Sequence, residues 1–156
     1  MKFLKRGVTI WLVNPSSIHF RHRTVPSNKK GWAVRKRILV IDDDSEVRSM
    51  MRDVLTRHSY EVVCAANGIQ AIEKSNEENL DLVLLDIRMP FFSGFWFCDA
   101  FKQKKDTRDI PVVMLSGLSD EDEEEAQKAY RVGASAYLKK PLHATELLKV
   151  VEEILR

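Results

Sequence analysis

Short apolar runs alternate with amphipathic segments five times between residues 35 and 156, and this alternation constrains the fold more than any other feature. The apolar runs predict strands at 38–41, 60–65, 82–85, 111–115 and 136–138. The segments that follow them predict helices at 45–58, 69–76, 94–104, 121–132 and 145–156. Short buried strands that alternate with helices indicate an α/β domain, in which a parallel sheet is covered by helices on both faces.

The helices are predicted from hydrophobic spacing and from signals at their ends. In 45–58, apolar residues recur at the spacing of one helical face: Val47, Met50, Met51, Val54 and Leu55. Asp44 or Ser45 is a suitable N-cap for this helix. Gly133 stands just after the fourth predicted helix, where glycine commonly ends a helix.

The beginning of the chain differs in charge from the rest. Ten of the 25 Lys and Arg residues lie within 1–37, which contains no Asp or Glu, so the other 15 bases face all 23 acids. The formal net charge of +2 is therefore an average over two unlike segments and indicates no particular partner.

Residues 1–34 show no sustained periodicity, although 8–13 is apolar enough for a short strand. We expect 1–34 to be a basic, disordered extension and 35–156 to be the domain. Two other interpretations remain open: a basic arm that contacts nucleic acid or acidic lipid, or a start codon assigned too early. Nucleic acid is the less expected partner, because basic tails are usually only solvated.

Membrane insertion and secretion are not indicated. No apolar run approaches the roughly 20 residues that cross a bilayer, and no small-residue cleavage site follows 8–13. Cys64 and Cys98 are too few for a disulfide framework and are expected to be reduced thiols. We therefore predict a cytoplasmic protein without a membrane span.

Polar residues follow four of the five predicted strands. They are the aspartates 42–44 after the first strand, Asp86 after the third, Ser116 after the fourth and Lys140 after the fifth. The carboxyl ends of parallel strands meet at one edge of a sheet, so these residues should converge. Clustered carboxylates suit Mg²⁺, and a lysine and a hydroxyl suit phosphoryl oxygens. Each residue alone would be an ordinary turn or capping residue, but the set indicates phosphoryl transfer to a carboxylate.

Several motifs in this order give the chain a family resemblance. They are Ile-Leu-Val-Ile-Asp-Asp-Asp at 38–44, Leu-Leu-Asp-Ile-Arg-Met-Pro at 84–90 followed by Gly94, 110–117, Gly-Ala at 133–134 and Tyr-Leu-Lys-Lys-Pro at 137–141. With these motifs, residues 36–156 resemble the receiver domain of two-component response regulators. The resemblance implies a flavodoxin-like fold: a doubly wound, five-stranded parallel sheet with strand order 2-1-3-4-5.

The resemblance also implies roles for individual residues in the chemistry. Asp86 corresponds to the phosphoacceptor. Asp42 and Asp43 correspond to the acidic pair that holds Mg²⁺ with Asp86, Asp43 directly and Asp42 through water. The backbone carbonyl of Arg88 would be a further metal ligand. Lys140 would contact the phosphoryl group.

The remaining roles concern the response to phosphorylation. Ser116 corresponds to the switch hydroxyl and Tyr137 to the switch aromatic residue. In the family, phosphorylation draws the hydroxyl inward and the aromatic ring follows. The shift alters the face made by the fourth helix, the fifth strand and the fifth helix.

The function implied is that of a stand-alone receiver, since the last helix runs to Arg156. A sensor histidine kinase or a histidine phosphotransfer protein would donate the phosphoryl group, and an unidentified protein would receive the output. Such a domain catalyses only its own phosphorylation and dephosphorylation and is not classed as an enzyme. The main alternative is a degenerate receiver that only binds protein.

Two further alternatives are weaker. A phosphatase of the haloacid dehalogenase type also uses an aspartate nucleophile, but Glu46 departs from its motif and Asp86 would be unexplained. A nucleic-acid binder would rest only on the amino-terminal arm.

Three features depart from the usual receiver pattern. The interval from Ser116 to Gly133 is longer than usual, and the acids at 120–125 are expected to form a solvated helix start. Five aromatic residues lie within 91–97, and we expect at least one to form an exposed contact patch. Arg88 lies two positions after the acceptor, where it could affect access of water to an acyl phosphate.

Overall fold

The computed structural model describes residues 2–5, 8–12, 35–77, 79–117 and 122–156. The strands are β1 Lys2–Lys5, β2 Val8–Leu12, β3 Arg37–Ile41, β4 Glu61–Ala65, β5 Leu82–Asp86, β6 Arg88–Met89, β7 Phe92–Ser93, β8 Val112–Ser116 and β9 Ala136–Lys139. The helices are α1 Ser45–Arg57, α2 Gly68–Glu77, α3 Gly94–Gln103, α4 Asp122–Arg131 and α5 Ala144–Leu155. All ten predicted strands and helices of the domain are present, with their ends shifted by at most two residues.

Five parallel strands form the central sheet. Their order is β4-β3-β5-β8-β9, which is 2-1-3-4-5 when these five are counted along the chain. The predicted fold class, a doubly wound α/β sheet, is therefore confirmed. The order reverses between β3 and β5, and ligand sites in such sheets lie beyond the carboxyl ends of the strands at this point.

Two short strands from the amino-terminal segment extend the sheet. β1 and β2 pair as an antiparallel hairpin, and β2 runs antiparallel to β9, with Trp11 opposite Tyr137 and Leu12 opposite Ala136. The short strand expected within 8–13 is thus present as β2, and 2–5 forms a second strand. The other residues of 1–34 lie outside the described residues, and the division at residue 34 remains a prediction.

The two faces of the sheet each carry a separate apolar layer. On β3, Ile38 and Val40 pack with residues of α1 and α5, while Leu39 and Ile41 pack with residues of α2, α3 and α4. Burial on both faces explains why the parallel strands are continuous apolar runs instead of alternating ones. Within the described ranges, no helix combines the length and apolarity of a membrane span.

The ends of two helices follow their sequence signals. Asp44 is the N-cap of α1, and its carboxylate accepts hydrogen bonds from the backbone N–H groups of Glu46 at 2.8 Å and Val47 at 3.3 Å. Gly133 has a φ of 93° just after α4, a conformation that favours glycine. These residues mark where α1 begins and where the chain turns after α4.

Candidate functional site

Three carboxylates meet at the carboxyl edge of the sheet. Asp42 and Asp43 follow β3, and Asp86 is the last residue of β5. One oxygen from each lies within 4.8 Å of the others, with Asp42 and Asp86 buried and Asp43 exposed. The parallel pairing of β3 with β5 brings these residues together across more than forty positions of sequence.

Lys140 completes the cluster. It directly follows β9, which is separated from β5 in the sheet by β8. Its Nζ lies 2.6 Å from Asp42 Oδ2 and 3.0 Å from Asp86 Oδ2. Its backbone N–H donates to the carbonyl of Ser116 at 2.6 Å, which fixes the loop after β9 against the end of β8. The ammonium group is therefore held between two buried carboxylates.

Burial and hydrogen bonds shift the pKa values of Asp86 and Lys140 in this pocket. Burial raises the pKa of Asp86, and hydrogen bonds from Lys140 and the Arg88 backbone offset part of that rise. Burial alone would lower the pKa of Lys140, but its hydrogen bonds to Asp42 and Asp86 outweigh burial and raise it. Because one ammonium serves two carboxylates, the pocket retains an excess of negative charge that favours a further cation.

Backbone contacts hold Asp86 and Asp42 in place. The N–H of Arg88 donates to Asp86 Oδ1 at 3.0 Å, and the N–H of Asp44 donates to Asp42 Oδ1 at 2.9 Å. Gly94, the first residue of α3, lies so close to Asp86 that a Cβ there would be 2.6 Å from the Asp86 carbonyl oxygen. The backbone at Asp86 and Ile87 is thus packed directly against the start of a helix.

The two predicted switch residues lie beside the pocket and share a partner. Ser116 Oγ donates to Glu125 Oε2 at 2.6 Å, and the Tyr137 hydroxyl donates to the same oxygen at 3.3 Å. Ser116 and Tyr137 are both buried. The guanidinium of Arg88 forms an ion pair with Glu125 Oε1. Glu125 of α4 therefore joins three residues near the site.

Sequence reasoning missed the position of Glu125. The acids at 120–125 were expected to form a solvated helix start, and 120–121 lie outside the described residues. Glu123 and Glu124 are exposed as expected, whereas the side chain of Glu125 is mostly buried. The one available signal is that Glu125 immediately precedes Ala126, the first of the buried small residues of α4. That signal does not identify a partner.

The structure thus brings together Asp42, Asp43, Asp86 and Lys140. The side chains of Ser116 and Tyr137 are hydrogen-bonded to Glu125 instead. The side chain of Arg88 also bonds Glu125, and the role of its backbone carbonyl as a metal ligand remains a prediction.

The aromatic segment after Pro90 is only partly buried. Phe91 is fully exposed and Trp96 is 59% exposed, whereas Phe97 is buried in the core. The expectation that at least one aromatic side chain is exposed is confirmed, and its role as a contact surface remains a prediction.

The donor set fits a magnesium ion. Carboxylate oxygens are the hard ligands that Mg²⁺ prefers, and the exposed Asp43 leaves the cluster open to solvent on one side. No thiol or imidazole belongs to this cluster.

The fold and this edge define a doubly wound α/β domain with an acidic, lysine-containing pocket at its switch point. A family model described as the response regulator receiver domain matches residues 38–152. The chain belongs to this family, whose members act as signalling domains in two-component systems. The resemblance inferred from the sequence is therefore confirmed.

Individual relatives agree with this membership. The chain is 36% identical over 121 residues to the phosphate regulon transcriptional regulatory protein PhoB of Escherichia coli (strain K12). The matched region covers 78% of this chain and 52% of PhoB. It is 35% identical over 120 residues to the transcriptional regulatory protein ResD of Bacillus subtilis (strain 168), covering 77% and 48%. The chain spans about half the length of these relatives.

A solved structure of similar size shows the same fold. The chemotaxis response regulator CheY4 of Vibrio cholerae superposes with a TM-score of 0.73 at 30% identity, over 78% of this chain and 100% of that chain.

Proposed function

We propose that this domain is a phosphorylatable receiver in which Asp86 accepts a phosphoryl group. The observation that carries the proposal is the contact of Lys140 Nζ with both Asp42 and Asp86. A lysine held between the acceptor and a neighbouring carboxylate supplies the positive charge that an incoming phosphoryl group needs.

The transfer uses the carboxylate of Asp86 as a nucleophile. One oxygen of Asp86 attacks the phosphorus of a phosphohistidine, the P–N bond breaks as the P–O bond forms, and the histidine nitrogen keeps the electron pair. Lys140 balances charge on the phosphoryl oxygens. Asp42, Asp43 and Asp86, with the Arg88 carbonyl, are the residues that would hold Mg²⁺, which neutralises phosphoryl charge when bound.

The response to phosphorylation would involve Ser116 and Tyr137. Both are buried and donate hydrogen bonds to Glu125 of α4. A change in their hydrogen bonds would alter the face formed by α4, β9 and α5, where an output protein could bind. We place the domain in the cytoplasm, with a sensor histidine kinase or a histidine phosphotransfer protein as the donor.

The test is Mg²⁺-dependent labelling with acetyl phosphate, followed by mass spectrometry of the intact protein. We expect one phosphoryl group per wild-type chain, which is lost in Asp86→Asn and retained in Asp106→Asn, a matched change at an exposed turn. A degenerate receiver would show no labelling of wild type. A phosphatase would instead hydrolyse many equivalents of phosphoester. Either result would refute the proposal.

A further inference from the structure

One carboxylate outside the acidic pocket accepts hydrogen bonds from three residues that lie on three different elements. Glu125 Oε2 accepts from Ser116 Oγ at 2.6 Å and from the Tyr137 hydroxyl at 3.3 Å. Glu125 Oε1 accepts from Arg88 Nε at 3.1 Å. The side chain is mostly buried, so water competes little for these bonds.

Ser116 has a single hydroxyl hydrogen to donate. In the described part of the chain its acceptors are Glu125 Oε2 at 2.6 Å and the Gly117 carbonyl at 3.0 Å. An ionised carboxylate is the stronger acceptor. Ser116 cannot donate the same hydrogen both to Glu125 and to a phosphoryl oxygen on Asp86, so the two acceptors compete.

Arg88 holds Glu125 in the position that makes this competition effective. Its guanidinium pairs with Oε1 and leaves Oε2 facing Ser116 and Tyr137. Burial opposes ionisation of Glu125, but the hydrogen bonds from Ser116 and Arg88 outweigh it and lower the pKa of this carboxyl. Glu125 is therefore a charged acceptor under ordinary conditions.

We propose that Glu125 is a positioning residue that holds the Ser116 hydroxyl away from the acidic pocket and thereby limits phosphorylation of Asp86. The inference rests on the proposed function and extends it to a residue on α4. Removal of the carboxylate frees the hydroxyl for the phosphoryl group. The Gly117 carbonyl, 3.0 Å from Ser116 Oγ, remains as an acceptor, so the serine hydroxyl is not left without a partner.

The same competition links the pocket to α4. If the bond between Ser116 and Glu125 disfavours the phosphorylated state, phosphorylation must weaken that bond by the same factor. The start of α4 then loses a contact with β8. Phosphorylation of Asp86 would thus change the packing of α4 through Glu125.

The test compares the phosphorylated fraction at limiting acetyl phosphate with Mg²⁺ in full-length variants. Loss of a hydrogen bond to a charged group corresponds to about a tenfold effect, so we expect Glu125→Ala to increase the ratio of phosphorylated to unphosphorylated protein about tenfold. Glu125→Gln, which keeps the shape but accepts a weaker bond, should give an intermediate increase. Glu124→Ala removes an exposed acid from the same helix and should leave the ratio unchanged.

A double-variant comparison separates this role from a general effect on stability. If Glu125 acts through the hydroxyl, Glu125→Ala has no effect in the Ser116→Ala background, because the competing donor is gone. An unchanged ratio in Glu125→Ala, or an equal increase in both backgrounds, would refute the inference while leaving the proposed function intact. Failure of wild type and every variant to be labelled would overturn both.

Discussion

At the scale of single residues, the site is organised by pairing of buried charges. Asp42 and Asp86 share Lys140, and Glu125 pairs with Arg88. A buried carboxylate without a partner would be costly, so each of these contacts supports the fold as well as the chemistry. The acidic pocket contains three carboxylates and one ammonium group, and the negative charge that remains uncompensated favours binding of a metal cation.

The backbone conformation of Phe91 is unfavourable for a residue that carries a side chain. Its φ is 57° and its ring is fully exposed, so burial does not compensate for the left-handed backbone. We expect Phe91→Gly to raise the free energy of unfolding by about 0.5–1 kcal/mol, the relief of strain less the added entropy of the unfolded chain. Urea denaturation measures this change.

The control is Phe91→Ala, which removes the same ring but keeps a Cβ at positive φ. It should leave the free energy of unfolding nearly unchanged. An equal gain in both variants would show that loss of the exposed ring, and not the backbone, is responsible.

At the scale of elements, the site depends on how closely helices approach the ends of strands. α3 begins at Gly94, directly against Asp86 at the end of β5, and the N–H of Gly94 donates to the Ile87 carbonyl at 3.1 Å. α4 approaches the end of β8 through Glu125 instead. The first contact is rigid backbone packing, and the second is a side-chain hydrogen bond that can exchange partners.

Gly94→Ala tests the rigid contact. An added Cβ would lie 2.6 Å from the Asp86 carbonyl oxygen and 2.8 Å from Ile87 Cα, and neither backbone atom can move freely. We expect the free energy of unfolding to fall by about 2–3 kcal/mol, with weaker labelling of Asp86, as measured by urea denaturation and acetyl phosphate labelling.

Gly117→Ala is the matched control, since an added Cβ there meets nothing within 4 Å. Its free energy of unfolding should stay within about 0.5 kcal/mol of wild type. Equal stability of the Gly94 and Gly117 variants would contradict the close packing of α3 on the backbone of Asp86 and Ile87.

At the scale of the whole molecule, one sheet connects every part of the site. β3 and β5 supply the carboxylates, β8 ends at Ser116, and β9 leads into Lys140. Because these residues come together only when the sheet is folded, a ligand that binds them stabilises the folded domain over the unfolded chain.

Mg²⁺ should therefore stabilise the folded domain. At a concentration ten times the dissociation constant the gain is about 1.4 kcal/mol, which corresponds to a rise in Tm of about 3–6 °C for a domain of this size. Thermal unfolding followed by circular dichroism measures the shift. Asp43→Asn, which removes the exposed carboxylate, should reduce it, and NaCl at matched ionic strength should not reproduce it. An equal shift in Asp43→Asn would contradict a metal site at these residues.

Much of this molecule was determined by the sequence alone. Hydrophobic spacing is a property of neighbouring residues, so strands and helices could be located to within two residues, and Asp44 and Gly133 marked helix ends correctly. The convergence of Asp42, Asp43, Asp86 and Lys140 also followed, because parallel strands must bring their carboxyl ends to one edge.

Other features were decided only by the tertiary structure. The role of Glu125, the exposure of Phe91 and Trp96, and the pairing of β2 with β9 depend on how far each element rotates and on which edge remains open. Hydrogen bonds between side chains of different elements form or break with shifts of about an ångström. No local sequence pattern specifies the relative positions of the elements that closely. The alternation of strands and helices therefore predicted the pocket, whereas only the packing of α4 showed that the carboxylate of Glu125 accepts a hydrogen bond from Ser116.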